Sequence, residues 1–154
     1  MANTQAIATS FKVELLNGLH AFGTSVVRGA TTADSFKAAL YLVTATMDAT
    51  ATAYTATGEV AGAGYVAGGV DLTGATDWIA PSSSGTTAFS TPTASIVYTT
   101  VTLATAFDAV LIYNSTQANR AVSVHTFGSQ TVTAGTFTLT MPTNNNTTGL
   151  IRLA

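Results

Sequence analysis

Two hydrophobic patterns divide the chain. Near the start, the apolar positions Ile7, Phe11, Leu15, Leu19 and Phe22 recur at spacings of three and four. That repeat places side chains on one face of a helix. Lys12 and Glu14 fall away from the stripe, Asn3 or Thr4 is placed to cap its start, and Gly23 to end it in a left-handed conformation. Gly18 inside it costs about 1 kcal/mol relative to alanine, so a helix over about residues 4–22 depends on packing. It either covers a sheet face or docks on a neighbouring subunit.

Beyond Gly23 the pattern changes to that of strands. Threonine supplies 31 of the 154 residues, and Val, Ile, Tyr and Phe accompany it. Such β-branched and aromatic side chains suit a pleated surface and fit a helix poorly. Strands are expected at Thr24–Arg28, Phe36–Thr44, Ala53–Thr57, Gly69–Thr73, Thr86–Ser90, Ser95–Leu103, Phe107–Asn114, Arg120–Phe127, Thr136–Met141 and Gly149–Leu153. Alternation is clearest where Phe137, Leu139 and Met141 interleave with Thr136, Thr138 and Thr140. The unbroken apolar run Ala109–Tyr113 marks a central strand covered on both faces. Polar clusters at Asn114–Asn119 and Asn144–Gly149, and the pair Ala134-Gly135, read as turns, the first joining a hairpin.

Short strands separated by turns at about ten-residue spacing indicate a mainly β chain, an antiparallel sandwich or jelly-roll-like single domain over residues 1–154. The β body occupies about residues 24–154, behind the helix. Two stretches are less regular. Gly58 to Gly69 carries five glycines plus Ala61, Ala63 and Ala67, and Gly74 to Pro92 is rich in Ser, Thr and Pro around Trp78 and Ile79. Long loops of this kind carry function or contacts.

Composition narrows the function. Charged residues make up 8% of the chain, against about 25% in ordinary soluble domains. Five basic and seven acidic residues leave a net charge of −2, with Lys12, Arg28, Lys37, Arg120 and Arg152 scattered, so no nucleic-acid partner is expected. Hydrophobic residues reach 47%, yet no apolar run approaches the roughly 18 residues of a membrane span. The start lacks the basic, apolar and small-residue segments of a signal peptide, so synthesis in the cytoplasm is expected. With no cysteine there is neither a disulfide framework nor a thiolate metal site. A weakly charged surface gives little protection against self-association, which suits a subunit buried among copies or against a shell.

Motifs for chemistry fail in their context. Gly62-Ala63-Gly64-Tyr65-Val66-Ala67 fits a dinucleotide fingerprint, but Gly68-Gly69 and a strand follow where a helix is needed. His20 and His125, the only imidazoles, have no acidic neighbours at ligand spacing; His20 is expected packed or solvent-facing and His125 satisfied within a sheet. The seven acids include no pair spaced for glycoside chemistry, and Ser82-Ser83-Ser84-Gly85 lacks a strand–elbow–helix setting. Neither an enzyme nor a cofactor is expected. Tyr65 and Trp78, large aromatics in loops, either anchor an interface or fold back onto their own core.

A resemblance extends this picture. Phe36-Lys37-Ala38-Ala39-Leu40-Tyr41, Thr52-Ala53-Tyr54 and Thr57–Gly69, then Phe107–Asn114, Asn119-Arg120-Ala121-Val122, Phe127-Gly128 and Gly135-Thr136-Phe137, resemble small virion proteins of tailed bacteriophages. The likeness spans most of residues 30–154 and carries no catalytic signature. It implies a capsid decoration, or cement, protein that clamps capsomers on the outer shell, binding the major capsid protein and its own copies as a homotrimer. A head–tail connector or tail component, or a glycan-binding fibre module, is the alternative. Candidate interface residues are Phe11, Phe22, Tyr65, Trp78, Ile79 and Arg120, and Trp78→Ala is expected to weaken particle binding without unfolding the chain.

Overall fold

A computed structural model describes residues 3–8, 11, 15, 19–22 and 33–153. The chain is mainly β, and every strand pairing among these residues is antiparallel. Among the described residues eight strands form: β1 Ala6–Ile7, β2 Phe36–Leu42, β3 Val70–Leu72, β4 Ser82–Ser84, β5 Thr87–Ser90, β6 Ile96–Asn114, β7 Arg120–Leu139 and β8 Ile151–Leu153, with one 3-10 turn at Gly74–Thr76. A five-stranded sheet runs β1-β7-β6-β2-β3, and a three-stranded sheet runs β4-β5-β8.

The long hairpin β6–β7 is the frame. Its turn forms at the expected place because Asn114 accepts hydrogen bonds through Oδ1 from the amides of Thr116 and Gln117, at 3.1 and 3.0 Å. Ala118 and Asn119 then adopt left-handed φ angles of 52° and 58°. As expected from its unbroken apolar run, Ala109–Tyr113 is buried throughout, between β7 and β2.

Four expected strands are in fact two. Ser95–Leu103 and Phe107–Asn114 fuse into β6, and Arg120–Phe127 and Thr136–Met141 into β7. Interruptions that look like turns are shifts of register inside one ladder, at Tyr98/Val101, Val101/Leu103, Leu103/Phe107 and Phe107/Ala109. Ala134, at φ 46°, bulges within β7, and Gly135 pairs with Val101 where a turn was expected. The Asn144–Gly149 turn does form, with Asn145 Oδ1 accepting from the amides of Thr147 and Thr148. Within the stretch 74–92 the expected strand Thr86–Ser90 forms as β5, and the unforeseen strand β4 pairs with it as a hairpin. Of the expected strand Ala53–Thr57, only an isolated bridge from Ala53 to Arg120 remains.

The N-terminal helix over 4–22 needs correction at both ends. Ala6 and Ile7 are extended and pair with Val124 and Ser123, while residues 19–22 are not helical. Phe11 and Leu15 do have helical backbone. The outer edge of β7 offers amides and carbonyls that a strand can satisfy, and Ala8 donates there to the Val122 carbonyl. This tertiary pairing overrides local periodicity. The remaining positions of that helix, and the expected strand Thr24–Arg28, lie outside the described residues.

Candidate assembly interface

The glycine-rich loop over residues 58–69 is welded to the sheet by close backbone approach. A Cβ on Gly62 would overlap the Thr102 carbonyl oxygen, and one on Gly69 the carbonyl of Ala38. Thr102 donates its amide to Ala63 at 2.8 Å. The apparent dinucleotide fingerprint is thus a docking device, and β3 follows it where a nucleotide site requires a helix.

A carboxylate and three tyrosines hold the same loop, and the other two tyrosines bond close by. Glu59 accepts from the hydroxyls of Tyr54 and Tyr65 and from the amide of Gly68, each at 2.7 Å. Tyr65 accepts from the Leu40 amide at 3.0 Å, and Tyr113 donates to the Gly68 carbonyl at 2.8 Å. Tyr98 and Tyr41 donate to the carbonyls of Ala38 and Thr55, at 2.9 and 2.6 Å. Burial, reinforced by Glu59, pushes the Tyr54 hydroxyl up to about 12, and burial does the same at Tyr113. Tyr41, Tyr65 and Tyr98 are also raised, with burial the leading cause. All five therefore stay protonated and able to donate at neutral pH.

The remaining polar clusters are turned inward. Asp34 accepts from Asn114 Nδ2 at 2.9 Å, Gln117 Nε2 at 3.1 Å and the Ala21 amide at 3.2 Å. His20 Nδ1 lies 3.0 Å from Asn114 Nδ2, and its ring meets Phe11 edge-on at 4.8 Å. Ser123 Oγ lies 2.9 Å from His125 Nε2, but Ser123 is fully buried and offers no nucleophile to solvent. Burial pushes the His125 imidazole down to about 4. Among the described residues no three His, Cys, Asp or Glu side chains are grouped to hold a metal ion, and no helix is long and apolar enough to cross a membrane.

The candidate interface residues divide sharply. Phe11, Phe22 and Trp78 belong to the protein's own core, with Trp78 only 2% exposed and packed edge-on against Phe22 at 4.9 Å and Phe36 at 5.6 Å. A loop position did not make Trp78 a surface anchor, because the loop folds its ring back over β2. Tyr65 is half-buried and its hydroxyl is engaged. Ile79 and Arg120 keep their exposure.

Two features escaped the sequence reading. One is Val66, at 71% exposure the most exposed large hydrophobic side chain described, carried on the glycine-rich loop beside a hollow of 290 Å³ that it shares with Val97. The other is an apolar groove of 540 Å³ along β7, walled by Ile96, Phe127, Phe137, Leu139 and Met141. The rings of Phe107, Phe127 and Phe137 pack mutually at 5.0–5.9 Å beneath it. Beyond Val124 no strand pairs with the outer edge of β7 among the described residues. Residues 121–151 hold no Asp, Glu, Lys or Arg, a signal that was present in the sequence. Charge is one of the usual means of blunting such an edge, and here only bulges serve.

Comparison with known proteins yields no relative: no family model, no curated protein and no solved structure matches the chain.

Proposed function

We propose that the chain is a non-enzymatic structural subunit of a tailed-phage virion, of the capsid decoration kind, acting on the outer shell as a homo-oligomer. The observation that carries this reading is the uncharged, open edge of β7 with its apolar groove. Contiguous apolar surface of this sort marks a protein–protein contact. Polar side chains elsewhere support it. Glu59 and Asp34 spend their oxygens on internal hydrogen bonds that lock loops, which suits a rigid clamp. The likeness of Phe36–Tyr41, Thr57–Gly69 and Phe107–Asn114 to small phage virion proteins supplies the setting. Strength then comes from repetition, since many modest contacts on a symmetric shell bind as one.

Quantitative mass spectrometry of purified particles, with the major capsid protein as reference, tests the proposal. About one copy per capsid subunit is the expected result. A count near 6 or 12 per particle moves the chain to the neck or tail, and absence from particles removes the virion reading.

A further inference from the structure

We propose that the β7 groove and a polar hollow beside it form one site for an extended peptide segment of a partner, with a carboxylate at one end and apolar side chains at alternate positions. The site rests on the assembly-subunit reading above and names the chemistry of what it binds. The hollow, of 400 Å³, lies where the two sheets meet, with Gln5 and Ile7 on one side and Thr87 and Arg152 on the other. His125 and Leu150 line both spaces, so hollow and groove are neighbours along β7.

Charge defines one end of the occupant. Arg152 is exposed, donates to the Thr147 carbonyl and meets no carboxylate among the described residues. Lys37, by contrast, is paired with Asp71 at 3.3 Å. No acid lines either space, and Gln5 and Asn146 add side-chain amides to the hollow that Arg152 lines. A planar guanidinium with most of its donor fork unspent suits a carboxylate. Shape defines the rest. The apolar groove of 540 Å³, walled by Phe127, Phe137 and Leu139, is more than a simple anion fills. Beyond Val124, where β1 stops, no described strand takes the outer edge of β7, so its main chain is open to an added strand. An extended peptide satisfies that edge and turns every second side chain to the groove. A free fatty acid meets the guanidinium and the groove but leaves the edge bare.

A bead-bound library of random octapeptides, panned with the full chain, tests the site. Selected peptides are expected to carry Asp or Glu at one end and apolar residues at alternate positions. Arg152→Gln, on an exposed side chain, is expected to melt with the wild type and to lose the acid preference while keeping the apolar one. It should bind the selected peptides about tenfold more weakly, and Arg152→Lys should recover part of that loss. No enrichment, or enrichment that Arg152→Gln leaves unchanged, overturns the proposal. Displacement of the selected peptides by octanoate at equal concentration assigns the site to a free amphiphile and also overturns it. Failure of the virion reading is separate: a protein absent from particles that still selects such peptides keeps this site and loses that setting.

Discussion

The two halves of the β6–β7 hairpin share a backbone and differ in almost everything else. Near the turn, residues 109–114 of β6 and 121–124 of β7 are buried without interruption, flanked by β2 on one side and β1 on the other. Away from the turn the same strands alternate: Ile96, Tyr98, Val101 and Leu103 are buried, while Val97, Thr99, Thr131, Thr133 and Thr138 are exposed. Register shifts concentrate in this second half, where no strand covers β7 among the described residues. The turn half holds the domain together. The far half is finished well enough to keep its shape while leaving apolar surface for something else.

Substitutions separate the halves by size of effect. Trp78→Ala, on the core that backs the turn half, is expected to cost about 3–5 kcal/mol in urea unfolding. A stable Trp78→Ala chain defective only in particle binding would return Trp78 to the surface. Glu59→Ala strands two tyrosine hydroxyls and an amide, for a loss of about 2–3 kcal/mol with the loop over 58–69 becoming protease-sensitive.

Acid should act next, through His125 between the halves. Its pKa is lowered on folding, so the stability it contributes is complete above about 6.5 and drains as pH falls toward 4. The loss is on the order of 2 kcal/mol, and His125→Phe should flatten the thermal-melting profile across that window. Tyrosines act in the opposite sense: their raised values keep stability level up to about pH 10 and drain it above. The smallest stability effect, within about 0.5 kcal/mol, is expected for Thr138→Lys on the far half. That change places a charge in the groove and should still weaken binding of the selected peptides about tenfold; unchanged binding would clear the groove of any role.

Much of this architecture was legible in the residues themselves. Ala109–Tyr113 announced a doubly covered strand, Asn114–Asn119 a hairpin turn, and alternating threonines a sheet face. Bulges were not legible, because Ala134-Gly135 has the composition of a turn whether the chain reverses there or only shifts register. Nor was the fate of the first segment, where a vacant length of β7 claims Ala6-Ile7 despite a helical repeat. Candidate anchors failed for a related reason. Size and loop position suggested Trp78, but a large ring near a sheet gains more by burial in its own core. Val66 was not legible because a lone aliphatic among glycines looks like filler, and only the Glu59 network gives it a fixed place to stand.

The pairing of β1 with β7 also has a kinetic meaning. Strand β2 finds β6 some seventy positions further along, and Ile7 must wait for Ser123. Synthesis proceeds from the amino end, so β1 and β2 are made well before the strands of the β6–β7 hairpin with which they pair. The β6–β7 hairpin, local and closed by its own turn, is expected to form before the longer-range pairings with β1 and β2. A hairpin whose apolar faces are not yet covered by β1 and β2 is the kind of partly folded species most prone to aggregate.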